Sequence, residues 1–215
     1  MKTFIVNLIL ILGIAGSAIA GKAYFGYVIL NDDVKIEGTI EMLSPTLNEV
    51  KVKITTTEGQ KISYKAKDVK EYGFKVEKLN ETTKQHESEI IIYKRKTVVR
   101  NTVAFGANEV LIQRELYGAI SLYNHYYERN SNTDGNIGHS FYIEEQNEEL
   151  IWLTKKNYEE VLKSMTKNYP ELNAVIGSKN FGYKHIRKTI KTYNDWMIDN
   201  GEEVVSNTRE NQRSF

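Results

Sequence analysis

Cysteine is absent from this 215-residue sequence. That removes disulfides, thiol nucleophiles, covalent haem attachment and thiolate zinc sites together. Proline is nearly absent, with two copies, so little interrupts extended chain, and fourteen tyrosines favour strands. An excess of either charge is missing too. Lys and Arg number 29 against 28 Asp and Glu, which leaves no field to draw nucleic acid or an anionic membrane surface. Four histidines are few, none stands in an H-E-x-x-H motif, and no two have metal-ligand spacing. The nucleophile elbow G-x-S-x-G does not occur. The composition otherwise is that of a globular chain, at 40% hydrophobic and 27% charged.

The one long apolar run lies at the start. Lys2 supplies a positive charge, Phe4 to Ile14 is apolar apart from Asn7 and Gly13, and Ala18-Ile19-Ala20 ends in an A-x-A pattern. Signal peptidases need small residues just before the cut, which makes Ala18, Ala20 and Gly21 the expected cleavage region. Eleven residues of helix span about 16 Å, too short for a hydrocarbon core of about 30 Å. The expected mature chain starts at Gly21, is formally neutral because Lys2 leaves with the leader, and has no transmembrane helix. Export to the periplasm or the outer cell envelope is expected.

From Ala23 to Val76 the hydrophobic period is two. Val28 and Leu30 precede a turn at Asn31-Asp32-Asp33, and Val34, Ile36, Gly38, Ile40 and Met42 share the next face. Ser44-Pro45 breaks the pattern. Val50, Val52 and Ile54 then alternate with Glu49, Lys51, Lys53 and Thr55, a half-buried strand. After Glu58-Gly59 come Ile62 and Tyr64, then Tyr72, Phe74 and Val76. Gly26 and Gly38 inside strand patterns point to a bulge or a close backbone approach. Lys78 to Ser88 reads as a polar loop, with short strands at Ile90 to Tyr93 and Thr97 to Val99. A second meander runs through Val110 to Leu116, Ala119 to Tyr127, Phe141 to Glu144 and Leu150 to Leu153.

The period then changes. Tyr158, Val161, Leu162, Met165 and Tyr169 mark one helix face, with Thr154 as its N-cap and Pro170 as its break. Tyr183, Ile186, Ile190, Tyr193 and Met197 mark a second, stopped at Asn200-Gly201. The fold class expected is α+β: two antiparallel β-meanders followed by two C-terminal amphipathic helices. The divisions are a signal peptide (1–20), an N-terminal β-meander (21–77), a linker with short strands (78–100), a second meander with the helical pair (101–198) and a flexible tail (199–215).

Several short motifs resemble a family of uncharacterised exported envelope proteins of gram-negative bacteria. They are Gly26-Tyr27-Val28-Ile29 leading to Gly38-Thr39-Ile40, Ile62-Ser63-Tyr64-Lys65-Ala66-Lys67-Asp68-Val69, Gly118 to Tyr123, and Lys191-Thr192-Tyr193-Asn194. The resemblance implies a signal peptide, a short β-domain, a second meander and C-terminal helices. An outer-membrane barrel often follows in that family and is not expected here. The family implies location and architecture but no chemistry.

Candidate chemistry is correspondingly thin. Parity along one strand separates His125 from Glu128, and His86, His139 and His185 read as surface or half-buried residues. Asn130-Ser131-Asn132-Thr133-Asp134-Gly135-Asn136-Ile137 resembles the start of a calcium loop, but only Asp134 brings charge, and a turn-rich hairpin loop is the better reading. The paired acids Asp32-Asp33, Glu144-Glu145 and Glu148-Glu149 fall in turns or at strand ends, where carboxylates are solvated. No catalytic, cofactor-binding or metal residue is assigned. What remains is aromatic: Tyr117, Tyr123, Tyr126, Tyr127, Tyr142 and Trp152, which either contact a ligand or partner or pack beneath the helices. The function expected is a non-enzymatic envelope or periplasmic binding protein whose partner is a protein or a glycan. A glycan or small-molecule binder using the tyrosine-rich sheet is the alternative, and an exported hydrolase the third.

Overall fold

The alternation from Ala23 onward sets the first strands. In a computed structural model, which describes residues 22–79, 84–98, 108–128, 137–146 and 148–200, they are β1 (Ala23–Leu30) and β2 (Lys35–Glu41), joined by a tight turn in which Asp33 has φ 64°. The Ser44-Pro45 step then starts a helix, α1 (Pro45–Val50), instead of merely ending a strand. Ser44 accepts from the Leu47 N–H as N-cap, and Pro45 takes the first helical turn, where its missing N–H costs nothing. Glu49 and Val50 are therefore helical, and β3 begins one residue later (Lys51–Thr56). β4 (Lys61–Lys65) and a 3-10 turn at Ala66–Asp68 lead into β5 (Val69–Leu79).

The segment expected as loop and short strands is a long ribbon. β5 pairs with β6 (His86–Val98) from Glu71↔Lys94 to Leu79↔His86. Its polar residues at 77–78 and 84–89 are solvent-exposed, because both faces of the ribbon meet water there. β7 (Asn108–Leu116), β8 (Ile120–Glu128), β9 (Ile137–Glu145) and β10 (Ile151–Leu153) follow. Among the described residues, the ten strands join one antiparallel sheet in the order β10-β9-β8-β7-β6-β5-β1-β2-β3-β4. The expected pair of meanders is thus not two sheets. Strands follow their chain neighbours except at β5, which turns back to pair with β1. The class is broadly α+β, mostly antiparallel sheet with helices mainly at the C-terminal end.

Register defines two faces, because residues directly opposed across strands point the same way. One lateral row reads Ile36, Val28, Tyr72, Tyr93, Gln113, Asn124, Phe141, Leu153. The row on the other face reads Tyr27, Gly73, Ile92, Arg114, Tyr123, Tyr142, Trp152. On the first face, β1 to β5 with α1 and the 3-10 turn enclose Val28, Ile40, Val52, Ile54, Val69, Tyr72 and Phe74. Gly26 and Gly38 pair directly, and a Cβ on Gly38 would stand 2.1 Å from the Thr55 carbonyl oxygen, so here the close backbone approach is real.

The same face at the other end of the sheet carries Ile120, Leu122, Phe141, Ile143 and Leu153 beneath three helices. These are α2 (Tyr158–Met165), α3 (Pro170–Val175) and α4 (Ile186–Asp199). The expected first helix ends early, with α2 stopping at Met165, and Pro170, expected only as its break, opens a further helix, α3, at a position that tolerates proline. Thr154 does not cap α2 itself. It accepts from the N–H groups of Lys156 and Asn157 in the turn before the helix, where Asn157 is the N-cap. α4 buries Ile186, Ile190, Tyr193 and Met197, the face its period announced. Asn194 bonds both the N–H and the carbonyl of Ile120, and Gly118 gives it room, since a Cβ there would lie 2.4 Å from Asn194 Cγ.

Among the described residues no helix is long and apolar enough to cross a membrane. Ile190 is fully buried, whereas Lys191 makes an exposed ion pair with Asp195. Ile190→Asp should therefore cost roughly 4 kcal/mol or more, through lost packing and a buried unpaired charge. Lys191→Ala should cost under about 0.5 kcal/mol. Urea unfolding midpoints compare the two, and an unchanged midpoint for the Ile190 variant would refute docking of α4.

Candidate functional site

The β7–β8 ladder is short. It holds register at Gln113↔Asn124 and Arg114↔Tyr123, then passes a bulge to Leu116↔Leu122. Beyond Asn124, β8 goes on pairing with β9 as far as Glu128↔Ile137, while α1 packs against both β7 and β8. A backbone N–H released from a ladder needs another acceptor. Glu49 supplies it. Its Oε1 accepts from the Tyr126 N–H at 2.6 Å, and its Oε2 lies 2.5 Å from His125 Nδ1. Glu49 and His125 are each 2% exposed. α1 is inverted for this purpose: Asn48 and Glu49 are buried while Leu47 and Val50 face out. The Asn48 side chain ties back to both polar groups of the Leu43 backbone, and its carbonyl accepts from the Tyr72 hydroxyl.

Strand parity sets His125 apart from Glu128 but says nothing of the carboxylate that buries it. The helix that covers it arrives from the other half of the chain, which parity within one strand does not register.

Next to this junction the helix-bearing face turns polar. Between the two apolar clusters stand Asn124, Tyr126, His139, Glu115 and Arg187, joined in one hydrogen-bonded chain. Arg187 grips Glu115 with Nε at 2.6 Å and Nη2 at 2.9 Å, and its guanidinium sits 4.7 Å from the centre of the Phe141 ring. Asn124 Nδ2 donates to Glu115 Oε1 and to the Tyr126 hydroxyl, both at 3.0 Å. Asn124 Oδ1 lies 3.2 Å from His139 Nδ1. Asn124 is buried, Tyr126 half-buried, and His139 and Arg187 are exposed. Burial first, then the carboxylates of Glu115 and Glu49, push the Tyr126 hydroxyl up from its ordinary pKa. The Glu115 hydrogen bonds raise that of Arg187.

The opposite face holds a second polar set. The Tyr27 hydroxyl donates to Glu71 at 2.6 Å, and Lys94 completes an ion pair with Glu71 at 3.3 Å. The Tyr123 hydroxyl donates to Glu144 at 2.7 Å, while Lys96 pairs with Glu144 and lies over the Tyr123 ring. Glu144 is therefore a buried, paired carboxylate and not the solvated strand-end acid expected. Burial, aided by these carboxylates, drives the Tyr27 and Tyr123 hydroxyls far above their ordinary value.

The six aromatic candidates do not form one surface. Tyr123 and Tyr142 are buried with Val98, Val110 and Ile112, on the face away from the helices. Trp152 continues their lateral row and is 37% exposed. Tyr117 is equally exposed, with the Arg114 guanidinium 4.6 Å from its ring centre. Tyr126 belongs to the polar chain on the helix-bearing face, and Tyr127 is half-buried near the end of β8. Ala18, Ala20, Gly21 and Asn130 to Asn136 lie outside the described residues. Among those described, no three acidic or histidine side chains gather as a metal site. The sequence reading singled out none of Glu49, Asn124, Glu115 and Arg187 as site residues, and read His139 as a surface or half-buried histidine, which it is. Only Ser44-Pro45, as a helix start, signalled any of them. No family model matches the chain, and no curated protein or solved structure was found to be similar to it.

Two measurements check this geometry. Glu49→Ala leaves the Tyr126 N–H and His125 without their carboxylate and should cost about 3–5 kcal/mol in urea unfolding. A loss below about 1 kcal/mol would refute the junction. The tyrosines give a pH signature. A raised folded-state pKa means the native state holds the proton more tightly than the unfolded chain. Their stabilisation is therefore complete below about 10 and falls as pH climbs above it. Absorbance titration should show Tyr27, Tyr72, Tyr93 and Tyr123 ionising only as the protein unfolds in alkali. Reversible ionisation of all tyrosines near pH 10 in the folded protein would contradict it.

Proposed function

We propose that the protein is an exported, non-enzymatic binding protein of the periplasm or outer cell envelope, and that it engages its partner on the helix-bearing face between α1 and α4. The observation that carries this reading is the hydrogen-bonded chain Arg187–Glu115–Asn124, with Asn124 bonded in turn to Tyr126 and His139. Side chains fixed by mutual hydrogen bonds on a rigid sheet, with their outer members in solvent, suit recognition. The chain holds acid, base and amide groups already bonded to one another, an arrangement that positions donors and acceptors. Export rests on Lys2, the Phe4 to Ile14 run and Ala18-x-Ala20. In this reading the segment 21–77 is a structural β-unit and the second half of the chain carries the site. The short motifs that resemble exported envelope proteins of gram-negative bacteria support the same location.

Intact-mass measurement of protein recovered from the producing cells should give a chain beginning at Gly21. Retention of Met1 would refute export. Cross-linking in intact envelopes should trap a partner with the wild-type protein and lose it with Arg187→Met. A partner held equally by both would move the binding surface elsewhere.

A further inference from the structure

The polar chain between α1 and α4 fixes the hydrogen positions of its members. Glu115 only accepts as a carboxylate, so the Asn124 atom facing it is the amide nitrogen, and the atom facing His139 is the carbonyl oxygen. His139 Nδ1 must then donate. In the neutral ring that leaves Nε2 with a lone pair, on a side chain that is exposed. The Tyr126 hydroxyl accepts from Asn124 Nδ2, and its own hydrogen has no acceptor among the described residues. Arg187 spends two of its five N–H groups on Glu115 and keeps three, on a side chain 54% exposed. Its plane is steadied by the Phe141 ring, which His139 meets edge-on at 5.1 Å.

The outward set is therefore an acceptor at His139, a donor at Tyr126 and donors at Arg187. The Glu115–Arg187 pair at its centre leaves no uncompensated charge. An anionic ligand would meet the Glu115 carboxylate, and a cationic one the Arg187 guanidinium. A group that donates and accepts at one atom suits the set best, and that group is a hydroxyl. Several hydroxyls at fixed spacing on one neutral body describe a saccharide. The site is open, since His139 and Arg187 lie at the surface, and that favours a residue within a glycan chain over a small molecule needing enclosure.

We propose that this face binds a neutral glycan, with Tyr126, His139 and Arg187 contacting sugar hydroxyls and Asn124 and Glu115 positioning them. The proposal rests on the binding reading above and specifies its ligand.

The first test needs no ligand. Nitrogen chemical shifts of the His139 imidazole in the folded protein should report the tautomer with hydrogen on Nδ1, and the opposite tautomer would overturn the assignment. The second uses the full-length gene product recovered from its cells, with immobilised neutral oligosaccharides (glucose, mannose, galactose and N-acetylglucosamine polymers) and the polyanions heparin and hyaluronate as probes. At least one neutral probe should bind and shift His139 Nε2. Tyr126→Phe and Arg187→Met should each weaken it by roughly tenfold or more, with melting temperatures kept near that of wild type, and Lys191→Ala should bind as wild type. Retention of neutral binding in both site variants, or preference for the polyanions, would overturn the proposal. If no neutral probe binds while the envelope cross-link still forms and is still lost in Arg187→Met, the ligand class falls and the binding reading stands. If both fail, both fall.

Discussion

One buried carboxylate holds the two halves of this protein in register. Glu49 comes from a six-residue helix early in the chain and reaches strand β8, 76 and 77 residues further on, at His125 and the Tyr126 N–H. It stands where the β7–β8 ladder gives out. Without an acceptor there, a backbone N–H would be left unpaired in the interior, which no amount of surrounding apolar packing offsets cheaply. The arrangement also seats α1 over β7 and β8, so that the apolar cluster enclosed by β1 to β5 and the cluster beneath α2 to α4 share one uninterrupted sheet. The polar chain from Asn124 to Arg187 lies in the gap between those clusters and owes its exposure to that placement.

The two faces of the sheet treat polar groups differently. On the face away from the helices, Glu71 and Glu144 are each neutralised by a lysine and a tyrosine hydroxyl and sit close against apolar side chains. Such closed sets fix geometry and offer nothing outward. On the helix-bearing face the set is only partly closed. Glu115 and Asn124 are satisfied within the protein, while His139, Tyr126 and Arg187 keep hydrogen-bonding capacity directed at solvent. That contrast, more than the number of aromatic rings, separates framework from site.

Much of the framework was legible in the sequence. Period-two alternation located β1, β2 and β3, the run from Ala119 to Tyr127 located β8, and the i, i+4 spacing of Ile186, Ile190, Tyr193 and Met197 located α4 and its buried face. The misreadings share a cause, which is that local pattern loses to tertiary context. α1 buries Asn48 and Glu49 and exposes Leu47 and Val50, so its hydrophobic pattern is the reverse of a surface helix, and six residues are too few to show a period. The outer part of the β5–β6 ribbon, at 77–79 and 86–89, reads as loop because neither face is buried there, and strand formation rests on ladder hydrogen bonds with no apolar signature. His125 and Glu144 read as ordinary polar residues because their partners, Glu49 and Lys96, lie 76 and 48 positions away. The site was illegible for the same reason: Glu115, Asn124, His139 and Arg187 meet only after strands and helix are placed.

The return of β5 to β1 has a consequence in time. A chain emerges amino end first, whether from a ribosome or across a membrane. The ladders that join β1 to β5 use no residue later than Leu79, while Tyr93 of β6 and Leu111 of β7 complete their apolar cluster only afterwards. At that stage the β8 partners of Glu49, His125 and the Tyr126 N–H, have not yet been made. Only when β8 arrives does the carboxylate leave water, and it does so with both partners present. The order of synthesis thus spares the molecule any moment at which that charge is enclosed alone.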